Sequence, residues 1–307
     1  MSPAFDDPIF TNEDAAREAL EAIRWPNGPV CVHCGCFGAI SKVEGEKRSH
    51  RAGLYYCNDC KGQFTVTVGT VFERSKIPLT KWWLATFLLC SSKKGMSSHQ
   101  LHRTLGVTYK TAWFMSHRIR HAMAENGGGL MGSGGGTVEV DETYIGRRKG
   151  VRKGRGGYAH KEAVVALVER NGKVRSMHMG KVTGNNLKAA LRKNIARDAK
   201  LMTDESTMYR NLGKEFASHE SVMHSAYEYV RGNVHTNTIE GVFSILKRGL
   251  IGVYQHCDSD HLHRYLAEFD FRYNNRVALG VDDNQRTITA MRAIEGKRLT
   301  YRGPNEA

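Results

Sequence analysis

The sequence predicts a mixed α/β domain in the second half of the chain, preceded by a short-stranded segment and a helical segment. Two observations predict this order. Beyond a Gly-rich run at 126–136, three strand-like segments, a helix, a fourth strand and further helices follow one another. Before that run, a cysteine-bearing segment at 30–72 is rich in Gly, aromatic and β-branched residues, and helical periodicity continues from 79 to 125.

Composition bounds the class of protein. The 307 residues are enough for two or three domains, and 40% hydrophobic with 25% charged residues is typical of a soluble globular chain. The longest apolar runs, such as 82–90, are too short to cross a bilayer, and the acidic N-terminus does not resemble a signal peptide. We therefore expect a cytoplasmic protein with no membrane partner. The formal net charge of +14 indicates a polyanionic partner.

An N-terminal helical segment, 1–29, with its helix at 12–24, leads into the cysteine-bearing segment 30–72. That segment contains two Cys-x-x-Cys pairs with 22 residues between them. Each pair can hold one side of a tetrahedral Zn²⁺, and the spacing fits a strand hairpin, so we expect a structural zinc ribbon. The alternative, a redox pair or disulfides, is unexpected in an intracellular chain of this size. The four cysteines are Cys31, Cys34, Cys57 and Cys60.

Residues 79–125 form a predicted helix-turn-helix region. An apolar helix at 82–90 is followed by a helix, a tight turn at Gly106 and a second helix that Thr108 can cap. In DNA-binding motifs of this kind the second helix enters the major groove. An ordinary helix hairpin is the alternative. The candidate DNA contacts on the second helix are Tyr109, Lys110, Arg118 and Arg120.

The Gly-rich run 126–136 is a predicted linker, and a large domain at 137–280 follows it, with a C-terminal tail at 281–307. The strands of the large domain are expected at 137–145, 162–170, 173–180 and 199–203. Its helices are expected at 184–197, 207–216, 236–249 and 260–273.

Three acidic residues stand at positions typical of a metal site. Asp141 lies in the first predicted strand and Asp204 directly after the fourth, whereas Glu240 opens a predicted helix. Hard divalent cations bind carboxylate oxygens, and a two-metal site activates one oxygen and steadies another during phosphoryl transfer. Glu139 shares a strand face with Asp141 and is a candidate for support, while Glu142 is expected to point away.

Each acid also has a plainer interpretation. A single Asp after a strand is usually a cap, and Asn237 with Glu240 three residues on can form an N-capping pair. However, Lys247 follows Glu240 by seven residues, two helical turns along one face, where a metal and a phosphate would lie side by side. A cluster of cations after Asp141 favours phosphate contact over a merely solvated loop. These cations are Arg147, Arg148, Lys149, Arg152, Lys153, Arg155 and Lys161.

Several strings together carry a family resemblance that spans about residues 10–276. They are Arg24-Trp25-Pro26-Asn27-Gly28, Val140-Asp141-Glu142-Thr143-Tyr144-Ile145-Gly146, Thr203-Asp204-Glu205, His235-Thr236-Asn237-Thr238-Ile239-Glu240, Lys247-Arg248-Gly249, Gly252-Val253-Tyr254 and the segment 264–274. With them the chain resembles bacterial insertion-sequence transposases of the DDE class, in the subgroup with an N-terminal zinc ribbon.

The resemblance implies a ribonuclease-H-like catalytic domain at 137–280, whose central sheet gathers the acids. Asp141, Asp204 and Glu240 would be the catalytic metal ligands, with Lys247 as the basic residue that follows the last acid. Relatives in this group can carry Asn as the third catalytic residue, which makes Asn237 a rival or partner of Glu240. We favour Glu240 because a carboxylate is the better Mg²⁺ ligand.

The resemblance further implies a transposase that binds double-stranded DNA, both the terminal inverted repeats of its element and the target. Two Mg²⁺ ions, for which Mn²⁺ can substitute, would activate water to cut a strand and then the 3′-hydroxyl to attack the target. His235 and Arg248 are further candidate DNA contacts, beside Lys247. Paired DNA ends imply a homo-oligomer, and the activity implies a nucleoid-associated bacterial protein. The alternatives are a non-catalytic DNA-binding regulator and a structure-specific nuclease without strand transfer.

Overall fold

The computed structural model describes residues 6–44, 50–125, 127–154, 157–209 and 212–300. The chain folds as two compact units. Unit 1 combines Met1–Met123 with Val281–Ala307, and unit 2 is Ala124–Gly280. Across the described ranges, none of the helices has both the length and the apolar character needed to cross a membrane.

Unit 1 begins with a helix that packs on a small sheet. Helix α1 (Glu13–Arg24) is capped by Asn12, and strands β1 (Ile40–Lys42), β2 (Tyr55–Cys57) and β3 (Gln63–Phe64) form an antiparallel sheet in that order. Trp25, at the end of α1, meets the rings of Tyr55 and Phe64 edge-on at 5.3 and 5.8 Å between centroids. The sequence separated 1–29 from 30–72, whereas these contacts join the helix to the ribbon.

The rest of unit 1 is helical. Helices α2 (Leu79–Ser91), α3 (Ser98–Leu105) and α4 (Tyr109–Met123) follow the small sheet. Gly106 takes the left-handed conformation, with φ of 59°, between α3 and α4, where the sequence predicted a tight turn. Thr108 Oγ1 accepts a hydrogen bond of 3.2 Å from the backbone N–H of Thr111, as expected for a cap.

The segment 281–307, predicted as a tail, contains a helix instead. In α8 (Asp283–Arg292), Asp282 and Gln285 form a capping box, and Ala290 and Met291 are buried. The helix packs on α2, where the Arg286 guanidinium donates to the carbonyl of Cys90 at 2.8 Å. The sequence did not indicate this helix because α8 is short and mostly polar, and its few apolar residues find their partners only in the folded unit.

Unit 2 is built on a mixed sheet of the order β6-β5-β4-β7-β8. Strands β4, β5 and β6 are antiparallel neighbours, whereas β4, β7 and β8 run parallel. The strands are β4 (Thr137–Ile145), β5 (Glu162–Glu169), β6 (Val174–Met179), β7 (Lys200–Thr203) and β8 (Ser218–Ser221). A β-hairpin of β9 (Val230–Arg231) and β10 (Val234–His235) precedes the helices α6 (Asn237–Gly249) and α7 (Ser259–Asn274), and α5 (Gly184–Asn194) precedes β7.

Each face of the sheet carries its own hydrophobic core. Val138 and Val140 of β4 belong to the core under α5, together with Leu187. On the other face, Val164 and Ala166 of β5 pack with residues of α6 and α7. Because side chains alternate along a strand, the odd-numbered residues of β4, which include Glu139 and Asp141, face α6 and α7. The fold is therefore mixed α/β, with helices on both faces of the sheet.

Two predictions about unit 2 differ from the structure. A helix was expected at 207–216, but Tyr209 lies in a turn and the described part of that range holds only a 3₁₀ helix, Gly213–Glu215, before β8. The expected linker 126–136, whose residue 126 lies outside the described residues, belongs to unit 2 and packs within it. Gly132 donates its backbone N–H to Glu169 Oε1 at 2.9 Å, and a Cβ there would lie 2.6 Å from that of Ala199.

Candidate functional site

Sheet register brings two of the predicted acids together. Strands β4 and β7 are parallel, and Glu139 pairs with Met202. Continued by two residues, this register sets Asp141 level with Asp204, which directly follows β7. Carboxylate oxygens of Asp141, Asp204 and a third acid, Glu142, all lie within 4.8 Å of one another. These three residues, called the acid cluster below, are the centre of the candidate site.

Glu142 is the residue that the sequence analysis missed. Its side chain leaves β4 on the face opposite to Asp141, where the hydroxyl of the buried Tyr209 donates to its Oε1 at 2.7 Å. The expectation that Glu142 points away from the site is nevertheless wrong, because its carboxylate reaches the acid cluster. The only signal in the sequence was its place directly after Asp141.

The electrostatics of the acid cluster fit a divalent cation. Burial raises the pKa of Asp141 to about 7, and the neighbouring charges of Glu142, Asp204 and Glu240 add to that rise. Burial also raises the pKa of Glu142, although the Tyr209 hydroxyl opposes this effect. Crowded carboxylates repel one another unless a proton or a cation lies between them. Hard oxygen donors at this spacing are the ligands that Mg²⁺ and Mn²⁺ prefer.

Glu240 lies beside the acid cluster but not within it. It belongs to the first turn of α6, its side chain is 51% exposed, and its Oε1 is 3.9 Å from His224 Nε2. Its charge contributes to the raised pKa of Asp141, so it lies within electrostatic reach of that carboxylate. Asn237 is exposed at the first position of α6, one turn earlier. Lys247 and Arg248 are exposed in the last turn of the same helix.

Four of the cations after Asp141 line an open cavity of unit 2, and one other member of the cluster, Arg155, lies outside the described residues. Arg147, Lys149, Arg152 and Lys153 are exposed, and Arg148 donates to the carbonyl of Gly180 at 3.1 Å. A cavity of about 640 Å³ is lined by part of this segment and by the start of α7. Its side chains include those of Arg147, Arg148, Lys149, Arg152, His256, Asp258 and Ser259. The cavity is strongly basic, which suits a phosphate backbone.

The four predicted zinc ligands converge in unit 1. The Sγ atoms of all four lie within 4.8 Å of one another, with 3.6 Å between Cys31 and Cys60 and 3.7 Å between Cys34 and Cys57. Tetrahedral Zn²⁺ with bonds of about 2.3 Å separates its sulfur ligands by about 3.8 Å, so the cluster fits the ion. Hydrogen bonding from the backbone N–H of Cys60 lowers the pKa of the Cys57 thiol to about 6, whereas burial and the neighbouring cysteines raise the pKa of Cys34. Thiolates this close repel one another unless a cation lies between them.

Two of the predicted DNA contacts on α4 are buried. Arg118 is 9% exposed and donates to the carbonyls of Leu299 and Glu73 at 3.1 and 3.3 Å. Arg120 is fully buried and donates to Ser116 Oγ at 3.0 Å. Both therefore stabilise unit 1, and the prediction that they contact DNA is wrong. Lys110 is exposed at the start of α4, as is Tyr109, which stacks on His99.

His235, another predicted DNA contact, lies at the end of β10. Its side chain is 25% exposed, and its Nδ1 is 3.4 Å from Oε1 of the buried Glu139. The backbone carbonyl of His235 accepts a hydrogen bond of 2.9 Å from Arg170. The residue therefore lies between the surface and a buried network at the start of α6.

Comparison with known proteins matches both halves of the chain. A family described as the ISXO2-like transposase domain matches residues 134–274, and the transposase zinc-ribbon domain matches residues 11–63. The acid cluster and Glu240 lie in the first range, and the four cysteines lie in the second. The second range also includes α1, which agrees with the packing of that helix on the ribbon.

One relative covers most of the chain. An uncharacterized protein in transposable element ISH50 of Halobacterium salinarum is 31% identical over 279 residues, which are 86% of this chain and 91% of that protein. Among solved structures, a pre-cleavage Mos1 transpososome is 12% identical, covers 65% of this chain and 71% of its own, and has a TM-score of 0.28. The Mos1 mariner paired end complex with Mn is 13% identical, covers 61% and 75%, and has a TM-score of 0.22. TM-scores this low carry no conclusion.

Proposed function

Because the chain belongs to the family of transposases with an ISXO2-like transposase domain and an N-terminal transposase zinc ribbon, we propose that it cuts and joins DNA at the ends of a mobile element. The observation that carries the proposal is the acid cluster, in which Asp141, Glu142 and Asp204 bring their carboxylate oxygens within 4.8 Å. The substrates are the terminal inverted repeats and a target duplex. The formal net charge of +14 supports a polyanionic substrate.

We propose that unit 2 is a ribonuclease-H-like catalytic domain. Three antiparallel strands followed by two parallel ones, with helices on both faces, support this assignment. The acids lie on the central strand β4 and at the end of its parallel neighbour β7. Backbone pairing within the sheet holds Asp141, and Asp204 is the first residue after a paired strand, which favours the rigid placement that phosphoryl transfer needs.

Asp141 and Asp204 are the proposed principal ligands of two Mg²⁺ or Mn²⁺ ions, with Glu240 as the third ligand. The nearness of Glu142 supports a further role for it as a ligand or as an acceptor for metal-bound water. Bound divalent ions would activate the attacking oxygen and stabilise the leaving oxygen in cutting and in joining. Asn237 remains the rival of Glu240, and we favour Glu240 because a carboxylate is the better Mg²⁺ ligand.

The basic residues of unit 2 are proposed to hold the DNA backbone. Lys247 and Arg248 are exposed on the helix that carries Glu240, and Arg147, Lys149 and Arg152 line the basic cavity together with the less exposed Arg148. Lys153 follows them along the same exposed segment. His235 would contact DNA only through its exposed fraction. Contacts of this kind fix register and orientation without reading sequence.

Unit 1 is proposed to recognise the element ends. The zinc ribbon would be held by Zn²⁺ at its four cysteines, and α3 and α4 would act as a helix-turn-helix with Lys110 at the start of the recognition helix. Since two ends must be cut and joined together, the active form is proposed to be a homo-oligomer.

A single assay tests the proposal. The purified full-length protein is incubated with Mg²⁺ or Mn²⁺ and a duplex that carries the element ends, beside the variants Asp141→Asn and Asp260→Asn, the latter changing an exposed acid of α7. We expect nicked and joined products from the parent and from Asp260→Asn, and neither from Asp141→Asn. Cutting without joining would favour a nuclease. Specific end binding without any cutting would favour a non-catalytic regulator and contradict the proposal.

A further inference from the structure

We propose, on the basis of the function proposed above, that Glu139 is a positioning residue that fixes the first turn of α6, and with it Glu240, against the strand that carries Asp141. Glu139 is fully buried. Its Oε1 accepts hydrogen bonds from Arg170 Nε at 2.7 Å and from Thr238 Oγ1 at 2.9 Å, and its Oε2 accepts one from the backbone N–H of Ile239 at 3.0 Å. We call these four residues the α6 clamp.

The clamp replaces the missing N-cap of α6. Thr236, which precedes the helix, makes no capping hydrogen bond with its side chain. The N–H of Ile239, at the third helical position, is one of the donors that an N-cap side chain normally satisfies. Here a carboxylate from β4 takes that place, and its negative charge is favourable at the positive end of the helix. Helix and strand are thereby joined by one side chain.

Arg170 extends the clamp to the hairpin before the helix. Its guanidinium donates to the carbonyls of Asn233 and His235 at 2.6 and 2.9 Å, in addition to Glu139. Its backbone N–H donates to the carbonyl of Thr137 at 3.0 Å. The turn from β10 into α6 is therefore tied to both β4 and β5 on the side of the sheet where Asp141 lies.

A buried ion pair is an expensive way to cap a helix. A neutral cap from Thr236 would satisfy the same N–H without desolvating a carboxylate, and buried ion pairs seldom add net stability. What the ion pair adds is a fixed distance between two chain segments. Glu139 lies two residues before Asp141, and Ile239 lies one residue before Glu240. The clamp thus sets the spacing between two proposed metal ligands that are otherwise on separate elements.

The role differs from the one that the sequence suggested. Glu139 shares a strand face with Asp141, and we expected it to support that residue. The hydrogen bonds described for Glu139 run to Arg170, Thr238 and Ile239, with His235 Nδ1 at 3.4 Å. Glu139 therefore stabilises the position of α6 rather than the side chain of Asp141. Mutation of residues that orient metal ligands without binding the metal commonly changes metal affinity or activity by about 10–100-fold.

The test uses the full-length protein and two matched comparisons. Glu139→Gln keeps the shape of the side chain but removes its charge, and Glu268→Gln does the same to another fully buried carboxylate of unit 2, which pairs with Arg272. Thr238→Val removes one donor of the clamp, whereas Thr238→Ser keeps it. The readouts are Mn²⁺ binding without DNA, followed by the electron paramagnetic resonance signal of free Mn²⁺, the melting temperature, and single-turnover cutting across a Mg²⁺ series.

We expect Glu139→Gln to weaken Mn²⁺ binding about tenfold and to raise the Mg²⁺ concentration for half-maximal cutting, with partial rescue at high Mg²⁺. Thr238→Val should change both in the same direction by a smaller factor, and Thr238→Ser should match the parent. Glu268→Gln should lower the melting temperature and leave Mn²⁺ binding unchanged. Parent-like Mn²⁺ binding in Glu139→Gln or, if that variant does not fold, in Thr238→Val would overturn the inference.

The two proposals fail separately. If the parent does not cut DNA but Glu139→Gln weakens Mn²⁺ binding, the clamp stands and the transposase activity does not. If the parent cuts and Asp141→Asn does not, while Glu139→Gln binds Mn²⁺ and responds to Mg²⁺ like the parent, the activity stands and the clamp is overturned.

Discussion

The hydroxyl of Tyr209 donates a 2.7 Å hydrogen bond to Glu142 Oε1, from the core on the α5 face of the sheet. The bond is a second anchor of the acid cluster, besides the pairing of β4 with β7. It holds a carboxylate that starts on the opposite strand face within 4.8 Å of Asp141 and Asp204. Packing beneath the sheet and the geometry of the acid cluster are therefore coupled through the side chain of Tyr209.

We expect Tyr209→Phe to lower the free energy of unfolding by about 1 kcal/mol, because one buried hydrogen bond is lost. Mn²⁺ binding should also weaken by several-fold, since the Glu142 carboxylate is no longer held. The control is Tyr254→Phe, which removes a tyrosine hydroxyl bonded to Glu268 at 2.5 Å. Equal metal affinity in the two variants would show that the Tyr209 hydroxyl serves stability alone.

Asp141→Asn should abolish cutting and stabilise the metal-free protein. Burial raises the pKa of Asp141 from 3.8 to about 7 in the folded state. Between about pH 4 and pH 7 the folded chain therefore holds a proton on this carboxyl that the unfolded chain has lost. The stability of the metal-free parent should therefore fall as the pH rises from about 4 to about 7 and stay low above that range. At pH 8 the variant should be more stable by about 1–3 kcal/mol.

Chemical denaturation at pH 5 and pH 8, with a chelator present, measures the effect of Asp141→Asn. Other groups titrate in the same range, so the comparison is between parent and variant at each pH. The gap should be larger at pH 8 and should shrink when Mg²⁺ or Mn²⁺ is added, because the ion neutralises the parent carboxylate. A variant that is less stable than the metal-free parent at pH 8 would contradict the burial argument.

Cys57→Ser should remove zinc from the purified protein and unfold the ribbon, because the metal supplies much of the folding free energy of so small a sheet. Metal analysis should find about one zinc per chain in the parent. Cys257→Ser, which changes a half-buried thiol of unit 2, should keep the full zinc content. Retention of zinc and of specific end binding in Cys57→Ser would count against the four-cysteine site.

Gly132→Ala should destabilise unit 2 more than Gly134→Ala does. Both glycines have left-handed backbones, with φ of 74° and 78°, so both substitutions carry similar backbone strain. Only at Gly132 would the new Cβ also meet Ala199, at 2.6 Å, whereas nothing lies within 4 Å of a Cβ at Gly134. We expect an extra cost of about 1–3 kcal/mol in chemical denaturation. Equal costs would mean that the segment moves away freely.

The double change Lys149→Ala with Arg152→Ala should weaken DNA binding and lower the slope of log affinity against log salt by about 2, since each lost phosphate contact contributes about 0.9. The control pair, Lys188→Ala with Arg192→Ala, removes two cations of α5 that are paired with Glu215. Its salt slope should match that of the parent. An equal change of slope in both pairs would mean that net charge alone matters.

Hydrophobic periodicity over short stretches of sequence was sufficient to predict several strands and helices of unit 2. Strand β4 was expected at 137–145 and is Thr137–Ile145, and the helix expected at 236–249 is Asn237–Gly249. Both have a hydrophobic period that a short window reveals. The segment 207–216 shows the limit of this approach. Its apolar residues have helical spacing, but Tyr209 and Leu212 reach the core from non-helical backbone.

Burial of charged residues could not be predicted from the same patterns. Arg118 and Arg120 on α4 were expected to face DNA, yet they bond to backbone and side-chain atoms inside unit 1. A cation next to apolar helix positions is equally consistent with an exposed contact and with a buried bond. The choice depends on which distant carbonyls fold against it, and those of Leu299 and Glu73 are far away in sequence.

Residue type and spacing along the chain were sufficient to predict the convergence of the four cysteines, the mixed α/β class and the nearness of Asp141 to Asp204, because cysteine knuckles and strand ends are local features. The inclusion of Glu142 in the acid cluster and the clamp of Glu139 on α6 depended on the three-dimensional fold. In both cases the partner is remote: Tyr209 is 67 residues from Glu142, and Ile239 is 100 residues from Glu139. Hydrogen bonds over such separations exist only after the sheet and its helices have packed, so no local periodicity encodes them.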